Sequence, residues 1–247
     1  MRAEARIVAE ADGRGGTRLA VLRGESPLLL RRTGPRAGGM TVHLVGGAAG
    51  PLRGDELRLD IEVGPGAALE MLSVAAQLAL PGRPAPASRM TVTASVAAGG
   101  TLRWLPEPLI AASGCDHVAI TRVTVAEGGS LLWRDDLVCG RHGEGSGDML
   151  QDSLFRYAGS TVHRHELAVG PRAPGWDGAA VLGEGRAIGT LVALGSGLPA
   201  PDATNPHAAV MPLAGHGVLA TAVGPDIRDV HAALGPLCHR RSPALAA

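Results

Sequence analysis

The sequence predicts an all-β fold of elongated, stacked sheets, and three observations carry that expectation. The first is a phrase that recurs three times in the first half of the chain. It runs Val63-Gly-Pro-Gly66-Ala67-Ala-Leu69-Glu-Met71, then Val96-Ala-Ala-Gly99-Gly100-Thr-Leu102-Arg-Trp104, then Val125-Ala-Glu-Gly128-Gly129-Ser-Leu131-Leu-Trp133. A strand, glycine turn, strand unit at roughly thirty-residue spacing is the signature of repeats that bury their faces on one another. The second is strict alternation in Leu57-Arg-Leu59-Asp-Ile61-Glu-Val63, which gives one buried and one wetted face. The third is punctuation: 36 Gly and 18 Pro spread along the chain separate short strand-like runs.

Each element follows from the same rules. Met90-Thr-Val92-Thr-Ala94-Ser-Val96 and Ala119-Ile-Thr121-Arg-Val123-Thr-Val125 are the counterparts of the first strand. The positions of Asp60 and Glu62 become Thr93 and Ser95, then Arg122 and Thr124, so the repeat keeps its apolar face and varies its polar one. After each turn, Leu69 and Met71, Leu102 and Trp104, and Leu131 and Trp133 share one face. The glycines supply positive φ or close approach where the chain reverses. Residues 67–80 have helical propensity, but their place in the repeat predicts strand, and propensity is the weaker signal. Pro81-Gly-Arg-Pro84-Ala-Pro86 reads as a loop. Residues 135–147 read as a polar, glycine-rich break, 154–169 as strands, 171–178 as a turn, 181–194 as interrupted strand, and 198–207 as a loop. Gly217 to Val223 is a strand. Asp226 then caps a short helix with Ile227, Val230 and Leu234 on one face, stopped by Gly235-Pro236, with a frayed tail after it. The chain reads as one β domain over 1–247, with its repeat region at about 55–140 and a C-terminal strand and helix at about 215–237.

Composition narrows the function. With 23 acidic and 23 basic residues the formal net charge is zero, which argues against a nucleic-acid binder. Every basic residue is Arg and Asn205 is the single Asn, a pattern of coding bias. The most apolar stretch, 67–80, contains Glu70 and Gln77 and is too short to span a bilayer. The first residues show no apolar signal core, and Cys115, Cys139 and Cys238 form neither a disulfide framework nor a CxxC site. The expectation is a reduced, cytoplasmic protein. No Gly-x-Ser-x-Gly elbow and no Walker loop occurs, and Gly99-Gly100 and Gly128-Gly129 are followed by neither Lys nor a helix start. The expected character is a binding scaffold and not an enzyme.

These residues resemble a known family. Gly54-Asp55-Glu-Leu-Arg-Leu-Asp-Ile-Glu-Val-Gly-Pro-Gly66-Ala67 is similar to a segment of the urease accessory protein UreD (UreH) family. So are Leu102-Arg-Trp104-Leu105-Pro106-Glu107-Pro108, the run from Leu131-Leu-Trp133 through Gly140-Arg141 and Gly143-Glu144, Gly189-Thr190-Leu191, and the early strand Pro27-Leu28-Leu29-Leu30-Arg31. One departure stands out. Where the family carries a polar strip ending in Lys, Tyr and Arg, this chain has Leu72-Ser-Val-Ala-Ala-Gln-Leu-Ala-Leu80-Pro81, an apolar strip expected to be core or partner-facing. The resemblance implies stacked sheets with about two short helices and a non-enzymatic scaffold for urease maturation. It implies a UreF-type partner, a UreG-type GTPase and apo-urease as associates. It also implies support for nickel insertion through an internal water-filled path, with Ni²⁺ held only transiently, and it admits a dimer within the accessory complex.

The candidate residues for a binding or transfer route are Asp55, Asp60, Glu107, Arg141 and Glu144. Asp55, after Gly54, also suits a turn. Asp135-Asp136 suits a polar path or a turn start, and Arg141 with Glu144 suits an interior pair or a partner contact. His163 and His165 share a strand face and are candidate ligands for Ni²⁺ or Zn²⁺, or two half-buried histidines. Glu166 follows them directly, which fits a cupin metal site badly. Trp104 and Trp133, at equivalent repeat positions, are expected to stack in the core. Two other classes compete: a β-solenoid carbohydrate-binding or polysaccharide-acting protein, and a cupin-like metalloenzyme. The missing signal and scarce aromatics disfavour the first, and the histidine spacing disfavours the second.

Overall fold

The computed structural model describes residues 1–36, 39–195 and 208–239. The loop expected at 198–207 and the tail from residue 240 onward lie outside them. In chain order the strands are β1 (Arg2–Ala11), β2 (Thr17–Arg23), β3 (Leu28–Arg36), β4 (Gly39–Gly46), β5 (Glu56–Val63), β6 (Ala68–Ser73), β7 (Gln77–Ala79), β8 (Ser88–Val96), β9 (Thr101–Leu105) and β10 (Leu109–Ala111). They continue as β11 (Asp116–Val125), β12 (Ser130–Val138), β13 (Asp148–Tyr157), β14 (Ser160–Val169), β15 (Ala187–Leu194), β16 (Ala208–Pro212) and β17 (Gly217–Gly224), and helix α1 (Ile227–His239) follows.

The strands form two sheets. The first has the order β14-β13-β11-β8-β5-β1-β2, and the second runs β16-β17-β15-β12-β9-β6-β4-β3, with β10 and β7 attached through β12. Inner neighbours are parallel, as in β1–β5–β8–β11–β13 and β4–β6–β9–β12, and antiparallel pairs close each end. The glycine phrases are therefore not hairpins. Each is a corner that takes the chain from the first sheet to the second: β5 to β6, β8 to β9, β11 to β12. Successive turns of this coil stack on one another, so equivalent residues pair in register: Leu69 with Leu102, Leu102 with Leu131, and Trp104 with Trp133.

Two kinds of glycine make the corner. Gly66, Gly99 and Gly128 have φ of 68°, 72° and 77°, a region open to glycine and costly for other residues. Gly100 and Gly129 do not hold positive φ and are needed for close approach. A Cβ on Gly100 would lie 2.9 Å from the Gly64 oxygen, and one on Gly129 would lie 2.9 Å from the Ala97 oxygen. Backbone bonds lace the corners together, with Thr101 N–H donating to Ala67 O (2.8 Å) and Ser130 N–H to Gly100 O (2.9 Å).

The apolar face of every repeat points between the sheets. Leu59, Ile61, Leu69, Met71, Leu102 and Trp133 are fully buried there. Trp104 and Trp133 stack as the repeat predicts, centroids 4.8 Å apart at 14°, and Phe155 meets Trp133 edge-on at 6.0 Å. Residues 67–80 carry two strands, β6 and β7, joined by a bend at Val74 and Ala75. Several boundaries differ from expectation. Asp135 and Asp136 lie within β12, and the polar break begins only after Val138, because Leu137 is buried and β15 pairs along the whole segment. Residues 181–184 are turn, and β15 starts at Ala187.

Among the described residues there is one helix where about two were expected, and Gly235-Pro236 does not stop it. Pro236 removes one backbone donor in the last turns. Burial of Leu234, Leu237 and Cys238 against the outer face of the second sheet holds those turns nonetheless, and Arg103 Nη2 donates to Cys238 O at 2.6 Å. No helix among the described residues is long and apolar enough to cross a membrane.

Candidate functional site: the cavity between the sheets

The parallel register sorts the inner face of the first sheet into rows. Nearest the corners the rows are Val63, Val96, Val125 and Tyr157, then Ile61, Ala94, Val123 and Phe155. Further along, the rows become Leu59, Val92, Thr121 and Ser153, then Leu57, Met90, Ala119 and Gln151. The last row, where the second sheet sends its loops back to the first, is Asp55 beside Ser88, His117 and Met149. Apart from Tyr157 at the corner, the polar side chains of these rows enter the interior at the far end.

A cavity of about 550 Å³ opens there between the sheets. Its wall includes Thr121, Gln151 and Ser153 from the first sheet and Trp104 and Asp135 from the second. The apolar strip at 72–80 forms part of its rim: Val74 is 62% exposed, while Ala79 is fully buried. Within the strip Val74 and Ala75 are exposed, Ala79 is core and the other residues are half-buried.

Asp135 is one of several acidic residues on the cavity wall, with Asp55, Glu107 and Asp136. Its Oδ1 accepts from the Trp104 indole N–H at 3.0 Å and its Oδ2 from Trp133 at 2.6 Å. Among the described residues no Arg or His pairs with it, so its charge has no local counter-ion. Burial pushes its carboxyl up to about 6, against the pull of the two indole donors, and Asp136 pushes in the same direction as burial. Asp136 points to the other face of β12, beneath α1, and is paired with Arg134 (2.7 Å) and His231 (3.1 Å).

The structure divides the residues expected from sequence. Asp55 and Glu107 both line the cavity. Asp55 is buried, with Oδ1 accepting from the Met1 ammonium at 2.7 Å and Oδ2 from Leu52 N–H at 2.9 Å, so it serves both as a turn former and as cavity wall. Glu107 is exposed, and its backbone N–H donates to Ser73 Oγ at 2.8 Å. Asp60 lies on the outer face of β5. Burial raises its carboxyl, but hydrogen bonds from Arg58 and Thr93 and the charges of Arg58 and Arg6 lower it further, below the usual range. Arg141 and Glu144 pair at the surface in the loop after β12, with Arg141 Nε donating to Oε1 at 2.8 Å and Nη2 to Oε2 at 2.9 Å. Ser113 N–H also donates to Glu144 at 3.1 Å, and these bonds, Arg141's first, bring its carboxyl down to about 2. These three residues are not among the cavity wall.

His163 and His165 lie on β14, an edge strand, with rings 5.9 Å apart and 20° from parallel. Burial, and for His163 also the charge of His165, lowers both imidazoles. Among the described residues no three His, Cys, Asp or Glu side chains gather as a metal cluster, so the pair has no third such ligand. Sequence reading passed over Ser88, His117, Gln151 and Ser153. The available signal was a break in alternation: polar residues at positions the repeat assigns to the interior.

Comparison with known proteins gives one family. The family model described as UreD urease accessory protein matches residues 1–247. A urease accessory protein UreD of Streptomyces avermitilis is 45% identical over 231 residues, covering 92% of each chain. One of Frankia alni is 41% identical over 266 residues, covering 92% of this chain and 88% of its own. A urease accessory protein UreD 2 of Saccharopolyspora erythraea is 35% identical over 252 residues, covering 98% of this chain and 89% of its own.

Proposed function

The chain belongs to the UreD family of urease accessory proteins, and from that premise we propose that it is a non-catalytic scaffold whose inter-sheet cavity passes Ni²⁺ toward apo-urease. The observation that carries the reading is Asp135, a carboxylate without a counter-ion on the wall of a cavity of about 550 Å³. A buried charge without a partner is costly. A hydrated divalent cation relieves that cost, and carboxylate, hydroxyl and amide oxygens hold such an ion weakly enough to let it leave. Thr121, Ser153 and Gln151 supply those oxygens along the wall, and Asp55 and Glu107 continue the series. Nickel is cargo in this scheme, and no cofactor resides in the protein.

The scaffold role belongs to the surfaces. A UreF-type partner docks on the chain, and that platform recruits a UreG-type GTPase and apo-urease in the cytoplasm. Asp60 and the Arg141–Glu144 pair stand outside the cavity and act in surface contacts, not in the route. His163 and His165 lack a third ligand of their own and act as a local pair. The repeat-built sheets also suit a carbohydrate-binding module, but with Phe155, Trp104 and Trp133 buried and the single Tyr157 and Trp176 each half-buried, no aromatic side chain among the described residues is fully exposed as a platform for a sugar.

The test is co-purification with a UreF-type partner combined with urease activation, using Asp55→Ala and Glu144→Ala. The expected result is that both variants keep the partner, while Asp55→Ala leaves urease nickel-poor and Glu144→Ala does not. Full activation by Asp55→Ala removes that residue from the route. Failure of the wild-type chain to bind any UreF-type partner contradicts the scaffold itself.

A further inference from the structure

The cavity wall around Asp135 is richer in carbon than a passing metal ion uses. Leu57, Leu78, Leu80, Met90, Val92 and Leu109 line it, and apolar residues outnumber polar ones there. At about 550 Å³ the space matches the clefts that hold small organic ligands, which combine mostly apolar walls with a few placed polar groups. Among the described residues no three His, Cys, Asp or Glu side chains gather to hold a metal. The wall therefore suits a ligand with a carbon body.

The charges of the wall set the ligand's head. Four carboxylates line the space and, among the described residues, no Arg or His side chain does. Asp55 is answered by the Met1 ammonium at 2.7 Å, and Asp136 by Arg134 and His231 at 2.7 and 3.1 Å. Glu107 is exposed to solvent. Asp135 is left as the half-buried carboxylate with no cation beside it. Its two oxygens take one indole N–H each, from Trp104 at 3.0 Å and Trp133 at 2.6 Å. A carboxylate offers about four acceptor positions, so each oxygen has room for a second donor. The stacked rings fix where the group points, and burial lifts its carboxyl only to about 6, so it is charged at neutral pH.

We propose that the inter-sheet cavity is a binding site for a small organic amine, its apolar body among the aliphatic side chains and its ammonium head donating to Asp135. An ammonium has three protons to give, and Thr121, Gln151 and Ser153 on the first sheet supply acceptors beyond the carboxylate. A neutral head forgoes the charge-assisted bond, and an anionic head meets an unpaired carboxylate. The site thus ranks ligands of one body by head: cation, neutral, anion. It stands on the composition of the wall and not on nickel passage, and an amine bound there occupies the carboxylate that the route would use.

The experiment titrates the purified full chain with n-octylammonium, n-octanol and n-octanoate, by calorimetry and by the indole N–H signals in a ¹⁵N spectrum. The chain has three Trp, so three such signals occur, and two of them belong to the donors on Asp135. The expected result is saturable binding of n-octylammonium at least about 10-fold tighter than of n-octanol, with n-octanoate weakest. The Trp104 and Trp133 signals should move with saturation and that of Trp176 should not. Asp135→Asn should level the three affinities, and Thr121→Trp should abolish binding by filling the space. Equal affinities in the wild type overturn the choice of head, and absence of saturable binding overturns the site. Movement of the Trp176 signal alone places the ligand elsewhere and also overturns it. If Asp135→Asn does not fold, the ranking of heads and Thr121→Trp decide alone. Urease activation separates this site from the nickel route. Amine binding that leaves nickel delivery untouched upholds the site and contradicts the route. Delivery lost in Thr121→Trp, with no amine bound by the wild type, upholds the route and overturns the site.

Discussion

The corner end and the return-loop end of the same strands are built from different materials. At the corners, Val63, Val96 and Val125 face Leu69, Leu102 and Leu131, and glycines bring successive turns into backbone contact. At the other end the same strands carry Asp55, Ser88, His117, Gln151 and Ser153 inward, and a cavity replaces close packing. One end is fixed by repetition, since each turn of the coil needs the same glycine and the same aliphatic residue. The other end is free of the repeat, and the chain places its polar chemistry there. The Trp104–Trp133 stack sits at the boundary, with one face in the apolar core and both indole N–H groups on Asp135.

That boundary yields the largest expected effect. Trp133→Ala removes a fully buried ring and one of the two donors to Asp135, and should destabilise the protein by about 3–5 kcal/mol, read as a fall in denaturation midpoint. A change below about 1 kcal/mol would mean that the core does not depend on the stack. The corner glycines come next. Gly100→Val and Gly129→Val each force a side chain against backbone oxygen at 2.9 Å and should cost about 2 kcal/mol, near 4–8 °C in Tm. Gly143→Ala, in the loop after β12, meets nothing within 4 Å and costs only its positive φ of 78°, about 1 kcal/mol. Equal losses at both ends would erase the contrast.

The interior acid and imidazole give a smaller, pH-dependent test with opposite signs. Asp135 titrates near 6 in the folded chain against an ordinary 3.8, so its stabilising share is complete below 3.8 and is lost as pH rises through 6. His117 titrates near 4 against 6.5, so its share is complete above 6.5 and is lost as pH falls through 4. Between about pH 4 and 6 the two oppose each other. Asp135→Asn should therefore make stability rise more steeply with pH in that window, and His117→Gln should make it fall. Urea denaturation at half-unit pH steps measures both slopes, and unchanged slopes would place both groups in contact with bulk water. The smallest effect belongs to Glu144→Ala, a surface pair whose loss should leave the Tm nearly unchanged.

The corner end was legible in the sequence because repetition writes the same residue types at the same spacing three times. The alternating strands, the stacked Trp pair and the strand character of 67–80 follow from it. The return-loop end was legible only in parts. Asp55 stood out through its glycine turn, but Asp60 and Glu144 were visible as charges without any sign of which face they occupy. Asp135 looked like the start of a loop because two adjacent acids rarely sit in a buried strand; the Trp donors on one face and Arg134 on the other make that arrangement stable. The continuation of α1 past Gly235-Pro236 was hidden for a similar reason, since burial against the second sheet outweighs a local breaker.

The most direct test of the cavity's role is a plug. Thr121→Trp adds a ring from the first sheet into the space of about 550 Å³ without touching either the corners or the outer surfaces. The measurement is the nickel content of urease matured with this variant, alongside recovery of the UreF-type partner on the purified complex. A route through the cavity predicts that the partner is retained and urease stays nickel-poor. Full nickel loading by a folded, partner-bound Thr121→Trp chain would contradict it.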